Sequence, residues 1–227
     1  MKAVFFDLDG TLFDTRADLA ATVNHTRRDL GLPEKSEAEI IACVGQGARY
    51  LLTHAVPERF AGLRDAESAS AFDETWRIFR THYAEHCCER LTPYPGVLST
   101  LDALAARGWR LGVNTNKPNF AVKAILEKFD LSRRFGAAVV AGGDGIALKP
   151  SAASLFACAE RMGGHVLSPD DWMVGDSWTD LQCAANAGVR SVFCAFGFGS
   201  RGDSPCTMLI NRFDELLALD GDRGNSV

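Results

Sequence analysis

The 227-residue sequence predicts an α/β protein: a Rossmann-like, doubly wound parallel sheet with an all-helical domain inserted into it. Three observations lead there. Short β-branched or aromatic runs at 2–6, 111–114, 137–141, 172–174 and 191–194 each end in a polar or glycine cluster. Helix-length segments at 97–107, 119–129, 151–162 and 179–187 separate the later runs. Such alternation is the pattern of parallel strands with helices on both faces, joined by right-handed crossovers. Finally, residues 14–89 carry only helical patterns.

The first run, Lys2-Ala3-Val4-Phe5-Phe6, meets Asp7 and Asp9 at once, which makes it too short for a signal peptide. Helices are expected next at 16–30, 38–43, 48–54 and 70–88. Their apolar residues recur at three and four positions, as in Ala20, Val23 and Leu30, or Phe72, Trp76, Phe79 and Tyr83. The aromatic stripe reads as bundle core. Pro93, Pro95 and Gly96 mark the return to the α/β pattern. The expected division is therefore a core of 1–13 and 92–227 interrupted by a helical domain at 14–91. The tail, 220–227, is expected to fray.

Hydrophobic residues make up 47% and charged residues 23% of the chain, which excludes a disordered or fibrous protein. A net charge of −5 lacks the basic footprint of a nucleic-acid or anionic-membrane binder. No stretch approaches the roughly 18 apolar residues of a spanning helix. The seven cysteines include no C-x-x-C pair, so they suggest buried thiols rather than a disulfide scaffold or a zinc ribbon. Together these features suggest a cytoplasmic protein, monomeric or homodimeric.

In an open α/β sheet the site lies beyond the carboxyl ends of the strands. Those ends carry Asp7-Leu8-Asp9-Gly10-Thr11-Leu12, Thr115-Asn116-Lys117-Pro118, Leu148-Lys149-Pro150 and Gly175-Asp176-Ser177-Trp178-Thr179-Asp180. Clustered carboxylates repel one another unless a cation sits among them. Hard oxygen ligands favour Mg²⁺, which commonly takes one or two carboxylates plus a substrate phosphate. Lys149 and the Thr115 hydroxyl can hold an anion against that cation. Backbone N–H groups of Asn116 and Lys117, with Pro118 opening the next helix, would add phosphate donors. An Asp carboxylate is a competent nucleophile toward phosphorus. Asp9, two residues from Asp7, projects from the same side of an extended chain and can serve as acid and base. Singly, each motif is also an ordinary N-cap or turn. Their order and placement make the set specific.

This set, across nearly the whole chain, resembles the haloacid dehalogenase-like superfamily of phosphohydrolases. The resemblance implies that Asp7 is the nucleophile and Asp9 the general acid/base, that Thr115 binds phosphate, and that Lys149 binds phosphate and balances charge. It implies Mg²⁺ held by Asp7, Asp176 and the main-chain carbonyl of Asp9, supported by Asp180. The helical insertion is similar to the superfamily's cap of the first type, with hinges near Phe13–Asp14 and 91–95. Within the superfamily the chain resembles the phosphoglycolate phosphatases through Asp7–Thr15, Gly31-Leu32-Pro33, Val44-Gly45-Gln46-Gly47-Ala48 and Tyr94-Pro95-Gly96-Val97. That likeness implies hydrolysis of 2-phosphoglycolate, a small phosphorylated metabolite. The usual K-P-x-P reads here Lys149-Pro150-Ser151-Ala152.

Other chemistries fit less well. A dehalogenase typically lacks an acid at the position of Asp9, and a phosphonatase needs a cap lysine, where only Lys35 is present. Related sugar-phosphate phosphatases, pyrophosphatases and phosphomutases share several of the motifs. A phospho-accepting receiver module lacks both the D-x-D-G-T order and the insertion. Gly45 and Gly47 could turn backbone N–H groups over the site, and Arg49 could meet a substrate carboxylate. His82-Tyr83-Ala84-Glu85-His86 matches the H-x-x-E-H pattern of some zinc peptidases but has no clear downstream partner ligand, so surface or core histidines are expected.

Overall fold

A computed structural model describes residues 2–220. Strand β1 (Ala3–Phe6) is followed by a two-residue strand, β2 (Phe13–Asp14), and then by helices α1 (Arg16–Asp29), α2 (Glu37–Ile41), α3 (Ala48–Ala55) and α4 (Asp65–His86). Strand β3 (Thr92–Pro93) leads back to α5 (Val97–Ala106), β4 (Arg110–Pro118), α6 (Asn119–Lys128), α7 (Ser132–Phe135) and β5 (Val139–Gly142). The chain finishes through α8 (Ala153–Arg161), β6 (Trp172–Gly175), α9 (Trp178–Ala187), β7 (Arg190–Cys194), β8 (Met208–Ile210) and a 3₁₀ segment at Phe213–Asp220.

The main sheet runs β5-β4-β1-β6-β7-β8, all parallel, with β1 central. The order reverses direction at β1, so a crevice opens where β1, β4 and β6 end side by side. Every residue of β1 is buried because both faces are covered. Val4 and Phe6 pack with Leu101, Leu104, Ile125 and Phe213 on one face. Ala3 and Phe5 pack with Leu155, Cys158 and Ala184 on the other. The alternation follows from the two-residue side-chain period of a strand.

The doubly wound sheet is as expected, with differences at its edges. β8 was not expected. It is a three-residue edge strand whose middle residue, Leu209, is exposed, too short to show a pattern. β4 continues through Thr115, Asn116 and Lys117 to Pro118, where a helix start was expected. Pro118, at φ −55° and ψ 135°, precedes the helix rather than forming its first turn. Helix α4 begins at Asp65 rather than Ser70, because Glu67 accepts the Arg64 N–H (3.1 Å) and caps a first turn that has little apolar content. In α2, Ser36 and Glu39 exchange hydrogen bonds in a capping box and fix the start at Glu37. The expected fraying of the tail at 221–227 lies outside the described residues. All seven cysteines are free thiols.

Helices α1 to α4 bury a cluster of their own, built on Leu19, Val23, Ile40, Leu52, Phe79 and Tyr83, which also takes in Ala121 of α6. Chain entry and exit pair antiparallel, Phe13 with Pro93 and Asp14 with Thr92. Asp18, 1% exposed, reinforces that junction by accepting the backbone N–H of Arg90 (3.0 Å) and of Leu91 (3.0 Å). Asp18→Ala orphans buried donors and should lower the free energy of unfolding by about 3 kcal/mol. Urea denaturation checks this, and a loss below about 1 kcal/mol would remove Asp18 from that role.

Candidate active site

Asp7 follows β1 directly, and its backbone N–H donates to the Val174 carbonyl of neighbouring β6 (2.9 Å). Asp176 follows β6, and Asp180 lies in the first turn of α9. Carboxylate oxygens of these three residues lie within 4.8 Å of one another, all buried, an arrangement able to hold a metal ion. One ammonium is shared among them: Lys149 Nζ stands 2.6 Å from Asp180 Oδ1 and 3.0 Å from Asp7 Oδ1. Asp180 Oδ2 accepts from Ser177 Oγ (2.7 Å) and the Ser177 N–H (3.0 Å). Both Asp180 oxygens therefore have protein donors.

Three acids against one base leave negative charge in excess, and the protonation equilibria reflect it. Burial pushes the Asp176 carboxyl well above the usual carboxylate range, and Asp180 and Asp7 add repulsion. Burial likewise raises Asp7, with Asp180 adding repulsion, while Lys149 and the Thr115 hydroxyl oppose the rise. For Lys149 burial disfavours charge, but Asp180 and Asp7 outweigh it and hold the ammonium above its ordinary value. Protein charge alone does not balance the cluster. A divalent cation would, and oxygen donors of this kind suit Mg²⁺.

Glycines permit this crowding. A Cβ on Gly10, whose φ of +76° already disfavours other residues, would lie 1.9 Å from Asp176 Oδ2. One on Gly197 would lie 2.4 Å from Asp176 Cβ. The loop after β7 closes round the same carboxylate: Phe198 and Gly199 donate their N–H groups to Asp176 Oδ2 at 3.0 and 2.7 Å.

Asp9 faces a second basic group. Its Oδ1 accepts from Lys117 Nζ (2.7 Å) and from the Thr15 hydroxyl (2.8 Å). Lys117 is 4% exposed, and its ammonium also donates to the Tyr83 hydroxyl of α4. Burial opposes that charge, but Asp9 reverses the effect and lifts Lys117 above its ordinary value. Sequence reasoning considered only the Lys117 backbone. That N–H is taken by Thr115 Oγ1 (3.3 Å) and does not serve as a helix-terminus donor. The available signal was period two: once β4 extends through Pro118, Lys117 shares the side of Thr115.

A cleft opens over these groups. Asp7, Asp9, Thr115, Lys117 and Asp176 line its floor, and Leu19, Ile41, Val44, Leu51 and Phe79 of the helical insertion line the facing wall. Gly45 and Gly47 also line it. Asn116 does not point a free amide at a ligand. Its Nδ2 donates to the carbonyls of Gly45 and Lys149 (3.0 Å each), and its Oδ1 accepts the Lys149 N–H (2.9 Å). Arg49 is not brought to the cleft. It is exposed, its guanidinium lies 3.8 Å from the centre of the Phe72 ring, and it lines a separate groove with Trp76 and Arg80.

Comparison with known proteins identifies relatives of this chain. The profile of the family described as haloacid dehalogenase-like hydrolase matches residues 4–194. The phosphoglycolate phosphatase of Rhodospirillum rubrum is 39% identical over 219 residues, covering 96% of this chain and 89% of that one. The phosphoglycolate phosphatase of Agrobacterium fabrum is 39% identical over 193 residues, covering 85% and 80%. A crystal structure of a predicted phosphoglycolate phosphatase from Haemophilus somnus superposes with a TM-score of 0.85 at 31% identity, covering 97% of this chain and 98% of that one. Among the described residues, no helix is long and apolar enough to cross a membrane.

The charge excess has a measurable cost. A carboxyl whose folded pKa is raised holds its proton more tightly in the folded than in the unfolded chain. Stability is therefore lost as pH rises above the ordinary carboxylate range. Near neutral pH in EDTA, Asp176→Asn should raise Tm by about 2–6 °C. A thermal melt in which this variant is less stable than the parent would contradict the assigned repulsion.

Proposed function

Since this chain belongs to the haloacid dehalogenase-like hydrolases and is a phosphatase, we propose that its cleft hydrolyses a small phosphate monoester through an aspartyl-phosphate, with 2-phosphoglycolate the preferred substrate. The observation that carries this reading is the pairing of two carboxylates in different environments on one cleft floor. Asp7 sits among the buried acids beside Lys149, and Asp9 sits against Lys117 and Thr15.

In the proposed cycle an Asp7 oxygen attacks phosphorus in line. The ester P–O bond breaks, and the leaving oxygen takes a proton from Asp9. Water then attacks the phosphoryl group and gives its proton to Asp9. The bond from phosphorus to Asp7 breaks, and inorganic phosphate departs. Both protein donors to Asp9 fall on Oδ1, which leaves Oδ2 to face substrate and water. Lys117 and Thr15 hold the Asp9 side chain in place through Oδ1. Lys149 holds Asp7 in place and faces the incoming phosphate. Mg²⁺, bound by Asp7 and Asp176 with Asp180 behind them, would supply charge neutralisation for the phosphoryl oxygens.

The helical insertion, residues 14–91, acts in this reading as a cap hinged at the β2–β3 pair. Its apolar wall would exclude water from the reacting atoms, and Tyr83 carries the cap's contact to Lys117. Substrate length is bounded by Gly45, Gly47 and Ala48, where α3 begins. The first turn of a helix leaves N–H groups without intrahelical partners, and these suit the carboxylate of a short substrate. The chain would act in the cytoplasm.

Two measurements test the reading. Asp7→Asn should reduce turnover of p-nitrophenyl phosphate with Mg²⁺ by about 10³-fold or more while leaving the far-UV circular dichroism unchanged. Appreciable residual turnover would dismiss Asp7 as nucleophile. Ranked by kcat/KM, 2-phosphoglycolate should exceed hexose phosphates and pyrophosphate by about 10-fold or more. A hexose phosphate at the head of that ranking would transfer the substrate assignment.

A further inference from the structure

The H-x-x-E-H run of α4 acquires in the fold the partner it lacks in the sequence. His82 and His86 stand one turn apart on α4, and His25 of α1 packs against both. Its ring centre lies 5.3 Å from that of His82 and 5.6 Å from that of His86. One nitrogen of each ring lies within 4.8 Å of one nitrogen of each of the others. Nothing in the proposed phosphatase chemistry uses these residues, and none of them lines the cleft.

The surroundings are those of a ligand set. Asp29 stands 2.8 Å from His82 Nε2, and Glu89 stands 2.7 Å from His86 Nδ1. A carboxylate accepts only from a protonated ring nitrogen, so each neutral ring keeps its other nitrogen as a lone-pair donor. A carboxylate on the second nitrogen of a histidine is the usual means of orienting a metal-bound imidazole. Glu85 adds negative charge 3.7 Å from His86 Nε2. The rings of His82 and His86 are 22% and 31% exposed, which admits an ion and a solvent ligand.

We infer that His25, His82 and His86 form a divalent transition-metal site, selective for Zn²⁺ over Mg²⁺, that ties α1 to α4 on the outside of the helical insertion. Three imidazoles are poor ligands for Mg²⁺ and good ones for zinc, with solvent completing a tetrahedron. Zinc–nitrogen bonds of about 2.0 Å place ligand nitrogens about 3.3 Å apart, so small rotations of the half-exposed rings close the site. The ion would fasten the two helices between which the chain enters and leaves the insertion.

Isothermal titration of the full chain with Zn²⁺, in excess millimolar Mg²⁺ to occupy the carboxylate cluster, tests this. One Zn²⁺ should bind with micromolar or tighter affinity, and Co²⁺ in its place should give a visible d–d spectrum of nitrogen ligation. His25→Ala and His86→Ala, made separately so that a folding defect in one helix does not cloud the other, should each weaken Zn²⁺ binding by about 10-fold or more. Both should keep the parent Tm in EDTA and lose the rise in Tm that Zn²⁺ gives the parent. Asp176→Asn should retain the site. Absence of Zn²⁺ binding in the presence of Mg²⁺, or an affinity unchanged in the two histidine variants, would overturn the inference.

Discussion

Three buried carboxylates, Asp7, Asp176 and Asp180, share one ammonium, that of Lys149, and the crowding this requires shapes much of the core around them. Like charges gather in a protein interior only when the backbone holds them there. Here the ends of adjacent parallel strands β1 and β6 deliver Asp7 and Asp176, and the capping box at Ser177 fixes Asp180 at the start of α9. The continuous burial of β1 on both faces anchors the arrangement, because a one-residue slip of the strand that carries Asp7 would exchange Val4 and Phe6 with Ala3 and Phe5 between two differently packed faces. The site is thus electrostatically costly and mechanically well supported.

Backbone economy around Asp176 follows from the same constraint. Gly10, Gly197 and Gly199 approach the carboxylate so closely that side chains there would displace it, and two N–H groups of the 198–199 loop take one of its oxygens. Across the cleft, Asn116 joins the Gly45 loop of the insertion to the Lys149 segment of the core. Lys117 joins Asp9 to Tyr83. Both ties reach from β4 to the helical layer, so the position of that layer over the floor is coupled to the same residues that set the charge of the floor. An apolar wall facing an acidic, lysine-paired floor is suited to a small ester enclosed away from water.

Most of the sheet and the carboxylate motifs were legible in the chain because they are local. A run such as Ala3–Phe6, apolar throughout and ending in Asp7-Leu8-Asp9-Gly10, declares a buried strand and a polar strand end within ten residues. Gly175-Asp176 and Lys149 could be placed at a common crevice because parallel strands of a doubly wound sheet all end on the same side. What escaped was either short or dependent on partners far along the chain. Strand β8 is stabilised by β7 and not by its own pattern, and the first turn of α4 rests on a cap rather than on apolar spacing.

The sequence by itself determined the sheet class, the order of the strand-end acids and the presence of a helical insertion, since each is written in residues close together and in the periods of strand and helix. Tertiary structure alone decided which ammonium faces which carboxylate. Lys149 goes to Asp7 and Asp180, and Lys117 goes to Asp9, across separations that no local period encodes. It decided that Arg49 lies against Phe72 outside the cleft, because the side a helical residue presents depends on how the helix is docked. It also brought His25 to His82 and His86. Side chains on different elements meet only where packing has fixed the distance between them, and burial and charge then settle what the meeting can do.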